Sequence, residues 1–435
     1  MKSKLEKLSP EFQKILQSAS SLANSSGCKI FLVGGIVRDL LLGGGVFDLD
    51  IAVEGDAIAF ASRLAGRLRS SYAKHHAFGT ATVYFKNHKI DFATARTEIY
   101  SHWGVLPKVR PAELCEDLKR RDFTINAMAI GLNQGDYGKV IDFYAGLSDL
   151  NKGLLRVLHQ ESFLEDPTRI LRGVRFKERF SFKFEPCTQE LLKQASSKEV
   201  LNLVSPHRLR DELICILKEP DPFKCLKSLN RLKSLYFIDK KVFLDKQAAV
   251  LFKRINSAAA WYDRTFKNHR KLDKVTIYLA AILIILSQRK IESLLSKFGF
   301  KKGERIIVTS IKKGVGLLSQ IDKKKEPYRI YEYLKDYSFE AILFFYAYSR
   351  GKHLRKNIEY FFKTLACIST DTKGRDLKDM SLAPSALYGR ALQSLLKAKI
   401  KKGLNGKEQE LKEVEKIFKR LYKKHMPCGG NNPRV

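Results

Sequence analysis

The chain changes its hydrophobic period part-way along, and this constrains the fold more than any other feature of its 435 residues. From about residue 160 apolar side chains recur every three to four positions, with Lys and Arg between them, almost to the end. Leu191–Gln194, Arg208–Leu217, Ile291–Phe298, Ala341–Tyr348 and Leu387–Leu396 are examples, and this period predicts helices. Up to about residue 145 the pattern is mixed. Residues 5–24 read as a helix. Lys29–Val33, Leu49–Val53, Thr80–Phe85, Lys89–Thr94 and Val140–Phe143 read as strands, with a hairpin through Lys86-Asn87-His88. Val37–Leu42 resumes as a short helix between Gly34-Gly35 and Gly43–Gly45. The expected class is α+β: a small mixed sheet with helices, then an all-helical remainder, with a hinge at residues 150–160. Cys428–Val435 is expected to be frayed.

Charge narrows the partners. The chain holds 80 Lys+Arg against 46 Asp+Glu, a formal +34. Such an excess repels itself in a compact state and points to a polyanion, either nucleic acid or an anionic membrane surface. A generally Lys-rich proteome is the plain alternative. The first twenty residues are charged throughout and lack the apolar stretch of a secretory signal. The longest apolar run, near Val275–Ser287, is too short to span a bilayer and is expected to be a buried helix. The seven cysteines are dispersed with no C-x-x-C pair, which fits reduced thiols in a cytoplasm.

The informative segment is Phe31–Asp56, FLVGGIVRDLLLGGGVFDLDIAVEGD. On a strand, Asp48 and Asp50 point to one face, where two carboxylates can share a hard cation such as Mg²⁺. Like charges so close are costly without one. Upstream, Gly34-Gly35 ends a strand and precedes a helix, which lets backbone N–H groups approach an anion. Arg38, one turn in, could reach a phosphate. Taken singly, each element has a plain reading: a turn for the glycines, a solvated helix face for Arg38 and Asp39.

Together they resemble the nucleotidyltransferase superfamily of DNA polymerase beta, and more narrowly the class II tRNA nucleotidyltransferases and bacterial poly(A) polymerases. Later segments agree in order: RRDFTINA at 120–127, DFYAGLSD at 142–149, EDPTRILRGVR at 165–175 and SPHRLRDELICIL at 205–217. The resemblance implies an N-terminal nucleotidyltransferase head (1–150), a helical neck with the base-reading helix (151–220), a helical body (221–330) and an RNA-binding tail (331–427). It implies two Mg²⁺ ions at Asp48 and Asp50, with Asp91 of IDFATAR left open between a third carboxylate near the metals and a structural one. It further implies nucleotide contacts from Gly35, Arg38, Arg120, Arg121, Asp122 and Asn126. Gly146 is the natural bending point of a hinge-like element.

In EDPTRILRGVR, the three-residue spacing of Arg169, Arg172 and Arg175 spreads them over one side of a helix. Asp166 and Arg169, i and i+3, can lie side by side. Asp166 can also be an N-cap before Pro167, and Ser162 with Glu165 a competing capping box. In the family the equivalent of the Asp166–Arg169 pair reads the incoming base without a template. An ionised Asp only accepts and an Arg only donates. Cytosine and adenine each present an amino donor beside a ring-nitrogen acceptor, and match this pair; guanine and uracil reverse the pattern. Arg172 and Arg175 would line the same pocket towards the phosphates. Arg208 and Glu212, i and i+4, are expected to be structural.

The implied reaction is addition or repair of the 3′-terminal CCA of tRNA from CTP and ATP, with release of pyrophosphate. The RNA 3′ oxygen attacks the α-phosphorus in line. The segment between Glu98 and Glu116, with Trp103, Lys108 and Arg110, has the place of the family's flexible loop and argues against an enzyme that adds only C. An A-adding (or CC-adding) enzyme, a poly(A) polymerase and a catalytically dead RNA-binding protein remain as alternatives. No His-Asp dipeptide occurs, so no appended phosphohydrolase is expected. The tRNA acceptor–T arm is expected against the basic helical half, for example at Lys323–Lys325, Lys399–Lys402 and Lys419–Lys424, although each cluster alone reads as a solvated helix face. No membrane or protein partner is expected.

Overall fold

The computed structural model describes residues 2–45, 48–266, 270–321, 323, 325–380 and 387–425. The chain divides into two compact units, residues 1–244 with 297–299, and 245–296 with 300–435.

The first unit opens with α1 (Lys2–Leu5) and α2 (Pro10–Ser26). The single helix expected over 5–24 is thus broken. Pro10 starts α2 in the first turn, where its missing N–H costs nothing, and the Ser9 hydroxyl accepts from the Phe12 N–H. There follow β1 (Lys29–Val33), α3 (Gly35–Leu41), β2 (Leu49–Glu54), α4 (Ala57–Leu68), β3 (Ser71–His75), β4 (Thr80–Phe85) and β5 (His88–Thr94). Next come β6 (Arg96–Ile99), β7 (Lys108–Pro111), α5 (Leu114–Lys119), β8 (Ala129–Gly131), β9 (Val140–Ile141) and α6 (Gly146–Lys152). The expected final strand 140–143 is therefore only two residues long.

Seven strands make one sheet in the order β3-β4-β5-β2-β1-β8-β9. Only β2 and β5 pair in parallel; the other neighbours are antiparallel. Alternation sends Phe31, Val33 and Ala52 to the face that packs against Leu114 and Leu118 of α5. Asp50, two residues before Ala52, opens on that same face. β3 escaped the sequence pattern because it is an edge strand with no buried side. The 98–116 segment is not a bare loop: β6 and β7 form a separate hairpin.

The chain continues through β10 (Leu154–Leu155), α7 (Ser162–Glu165), α8 (Thr168–Phe180), β11 (Lys183–Phe184), α9 (Pro186–Ser197) and α10 (Pro206–Leu217). Residues 150–160, expected to be a hinge, are tied down. Leu154 and Leu155 pair with Lys183 and Phe184, and Arg156 binds Asp149 and Glu185. Residues on either side of this segment accordingly belong to one compact unit. Gly146 opens α6 and has a steric reason to be glycine. A Cβ there would lie 2.2 Å from the Thr124 carbonyl oxygen, so glycine is required by close packing.

The second unit is helical throughout its described residues. Lys274–Leu283 is the buried helix expected from the apolar run, and no described helix is long and apolar enough to cross a membrane. A helix pair, Leu387–Lys402 and Lys407–His425, closes over its own core of Leu395, Val414 and Phe418. In the basic cluster 399–402, Lys399 pairs with Glu410, Lys401 with Glu326 and Lys402 with Glu413. Three of its charges are therefore already matched. Lys324, the Lys424 side chain and Cys428–Val435 lie outside the described residues.

Candidate active site

The site is built where β1, β2 and β5 end against α5, α8 and α10. Between β1 and α3 the chain turns at Gly34 with φ +79°, a conformation that disfavours any Cβ. Space demands glycine as well: a Cβ would sit 2.7 Å from Nη1 of Arg121. Arg38 in α3 is neither solvated nor aimed outward. It is 5 % exposed, donates to Asp39 and, at 2.6 Å, to Asn126 Oδ1, and lies over the rings of Phe176 and Phe180. It forms a wall of the site.

Asp48 is exposed immediately before β2, and Asp50 is in β2. The parallel register sets Asp50 opposite Asp91 of β5. Asp91 accepts from Thr82 Oγ1 and Lys89 Nζ, both at 2.6 Å. Asp50 is itself open to solvent on one side, but desolvation by the protein around it pushes its carboxyl above the ordinary value. Asp91 and Asp48 add to that, while Arg121 opposes it. Negative charge is thus gathered here and only partly neutralised. Among the described residues, no three His, Cys, Asp or Glu side chains converge as a metal site. Two carboxylates nevertheless suit Mg²⁺, which usually takes one or two from the protein and completes its shell with water and substrate phosphates.

α5 delivers the Arg120-Arg121 pair. The organiser is Asp117, 1 % exposed, which sequence reasoning missed. Its Oδ1 accepts from Arg120 and its Oδ2 from Arg121, one turn further on. The i,i+3 and i,i+4 spacing was the signal available in the sequence. Arg120 also binds Glu98 and the Arg96 carbonyl, so much of its fork is committed. Asp122 accepts from the Phe123 N–H and Asn126 Nδ2 on one oxygen and from Nε and Nη2 of Arg172 on the other. Burial alone would raise its pKa. Arg172 and the Asn126 amide outweigh that and hold it down to about 2. Arg38, Asn126, Asp122, Arg172 and Glu212 thereby form one chain of hydrogen bonds, buried at Arg38, Asn126 and Asp122 and partly exposed at Arg172.

Asp166 sits between α7 and α8. Its Oδ1 accepts from the Thr168 N–H at 3.1 Å and Thr168 Oγ1 at 2.6 Å, so the expected capping interaction is present. The Ser162–Glu165 box is not: Ser162 Oγ instead accepts from Arg169 Nη1. Asp166 and Arg169 face one cavity but do not bond each other. Arg169 donates to Ser162 and, at 2.6 Å, to the Arg120 carbonyl. Nor do Arg208 and Glu212 pair. Arg208 reaches Asp166 at 2.7 Å, and Glu212 takes Arg172 and Arg175.

These residues enclose a cavity of about 490 Å³. Seven arginines line it: Arg38, Arg120, Arg121, Arg169, Arg172, Arg175 and Arg179. Against them stand four acids: Asp50, Glu98, Asp122 and Asp166. Gly35 and Asn126 also line it; Asp48 does not. The Nε groups of Arg121 and Arg175 are buried without an acceptor among the described residues. A second cavity of about 380 Å³, with His75, Thr82, Lys89 and Asp91, shares Asp50 and Arg121 with the first.

Residues 30–156 match the poly A polymerase head domain, and residues 181–238 the probable RNA and SrmB-binding site of polymerase A. The A-adding tRNA nucleotidyltransferase of Halalkalibacterium halodurans is 31% identical over 414 residues, 94% of either chain. That of Geobacter sulfurreducens is 31% identical over 94% of this chain, which spans 47% of that protein's length. A solved structure of the Thermotoga maritima CCA-adding enzyme complexed with tRNA has a TM-score of 0.74 at 29% identity, covering 95% of this chain and 97% of that one.

Proposed function

The chain belongs to the family of class II tRNA nucleotidyltransferases and bacterial poly(A) polymerases, and from that premise we propose that it is a template-independent tRNA nucleotidyltransferase that builds or repairs the 3′ CCA end from CTP and ATP. The observation that carries this reading is the cavity lined by seven arginines against four acids. That excess of positive charge suits the oxygens of a triphosphate. Arg121 and Arg175 grip the phosphates, while Asp117 holds Arg121 and Glu219, at 3.5 Å, is the nearest acid to Arg175. Arg38 and Arg172, fixed by Asn126 and Asp122, shape the wall beside the ribose. Asp166 Oδ2 has no hydrogen bond among the described residues, and it accepts the amino group of cytosine or adenine; the N–H groups that Arg169 has left donate to the adjacent ring nitrogen.

Asp48 and Asp50 would hold Mg²⁺, which when bound acidifies the RNA 3′-hydroxyl and neutralises charge on the phosphates. The rest of the rate comes from positioning, since no covalent protein intermediate is needed. In this reading residues 1–150 are the head, 151–220 the neck, 221–330 the body and 331–427 the tail. The basic helical part takes the acceptor–T arm by its phosphates, and the enzyme works in the cytoplasm.

Restriction to the terminal A is the second reading, favoured because relatives named A-adding align over 94% of this chain. One assay separates them. tRNA ending at the discriminator base, and separately tRNA ending in CC, is given labelled CTP or ATP. Ordered addition of C, C and A supports the full enzyme. Addition of A to the CC-ended tRNA alone marks the A-adding one, and a long A tract marks a poly(A) polymerase. Asp48→Ala and Asp50→Ala should abolish incorporation with tRNA binding largely intact; full activity in either refutes the metal role.

A further inference from the structure

The tip of the β6–β7 hairpin is fastened to the base-reading carboxylate through one side chain. Gly104 at that tip donates its N–H to the Glu165 carbonyl at 3.2 Å. Its own carbonyl accepts from Nη1 of Arg208 at 3.0 Å. The other arm of that guanidinium, Nη2, donates to Asp166 Oδ1 at 2.7 Å. Gly104 fits this place for two reasons. Its φ is +77°, and a Cβ would come within 2.9 Å of Leu203 Cβ. Beside it, Lys198 Nζ lies 5.7 Å from the centre of the Trp103 ring. Hairpin tip, α10 and the junction before α8 therefore meet at Arg208.

The fork matters because of what it does to Asp166. Oδ1 receives three donors, from Arg208 and from the Thr168 N–H and Oγ1, which leaves Oδ2 as the oxygen presented to the cavity. A carboxylate held by Thr168 alone keeps freedom to rotate and exchange its oxygens. We propose that Arg208 is a positioning residue for nucleotide selection: it fixes the orientation of Asp166 and makes that orientation depend on docking of the hairpin tip. Because a planar fork is needed to span a carbonyl and a carboxylate, Lys cannot replace it. The proposal rests on the base-reading role given to Asp166 above.

The test uses the full chain. Trp103 and Trp261 are its only tryptophans, so Trp261→Phe leaves Trp103 as reporter of the tip. In free protein of that background, Arg208→Ala and Arg208→Lys should move Trp103 emission to longer wavelength and raise its acrylamide quenching about twofold, as for a segment that opens locally. In steady-state incorporation, both should lower the preference for ATP over GTP by about tenfold, because the cost of presenting the wrong edge falls when Asp166 can turn. Deleting residues 102–106 should produce the same loss, and combining the deletion with Arg208→Ala should add nothing further, the signature of one coupled unit. Unmoved Trp103 emission, or losses that multiply in the combined variant, would overturn the link and leave Arg208 as scaffold. Asp166→Ala, run alongside, tests the premise separately. Unchanged base choice there removes the base-reading role; relaxed base choice there with Trp103 unmoved in the Arg208 variants overturns the coupling alone.

Discussion

Replacing Gly34 with alanine should injure the protein in two separable ways. The first is backbone strain: Gly34 has φ +79° and ψ −136°, a region close to glycine-only, and holding a Cβ there costs about 1–3 kcal/mol. The second is displacement. The new Cβ would lie 2.7 Å from Nη1 of Arg121, well inside contact distance, so the guanidinium must withdraw. Arg121 is held by Asp117 at 2.9 Å and lines both cavities beside Asp50. A charge-assisted hydrogen bond of the kind Arg121 would make to a triphosphate is worth about 1.5–3 kcal/mol, so its misplacement should lower kcat/KM for CTP or ATP by roughly 10–150-fold. Comparing Gly34→Ala, Arg121→Ala and the double variant separates the two terms. Thermal stability should fall in both backgrounds, since strain does not depend on Arg121. The loss of kcat/KM should appear in the wild-type background and vanish in Arg121→Ala, where there is nothing left to displace. An equal loss of kcat/KM from Gly34→Ala in both backgrounds would refute the reasoning.

Asp166→Ala should relax base choice, with GTP and UTP gaining relative to CTP and ATP in primer-extension competition; unchanged discrimination would refute the readout role. Acid should expose the Asp122 network. Its pKa is about 2 in the folded chain against 3.8 ordinarily. The unfolded chain therefore binds the extra proton as pH falls from about 4 to 2, and about 2 kcal/mol of stability present at neutral pH is lost there. Circular-dichroism melts between pH 5 and 2 should fall more steeply for the wild type than for Asp122→Asn, and parallel curves would exclude this assignment.

The main strands and helices could be read from periodicity because each buries one alternating or helical face. The β2 and β4–β5 assignments, the buried 274–283 helix and the helical second half rest on that. What periodicity could not show were elements without such a face. β3 has no buried residue at the sheet edge, β8 is three buried residues, and the β6–β7 hairpin buries none of its strand residues. The site was legible as composition but not as wiring. Eleven of the twelve residues singled out line one cavity. Their partners were harder to see, because ion pairs across elements leave no local trace. Asp166 took Arg208 rather than Arg169, and Glu212 took Arg172 rather than Arg208. Asp117 was within reach of inference from its spacing to the Arg pair; the Gly104–Arg208 contact, 104 residues apart, was not.

The lone parallel contact in the sheet also says where this chain can vary in length. Asp50 and Asp91 are neighbours because β2 and β5 are locked in register, and a slip of either strand by one residue would turn its carboxylate to the opposite face from the other. The intervening chain leaves the sheet as α4 and returns by way of the edge strand β3 and its inner neighbour β4, so the length of the α4–β3 connection has no bearing on that alignment. Residues added or removed at the α4–β3 connection, next to the edge, leave the two carboxylates facing each other. A single residue inserted between Leu49 and Ala52 shifts every side chain beyond it. The geometry of the acidic pair is thus insulated from the part of the sequence most open to drift and exposed only to a few positions within two strands.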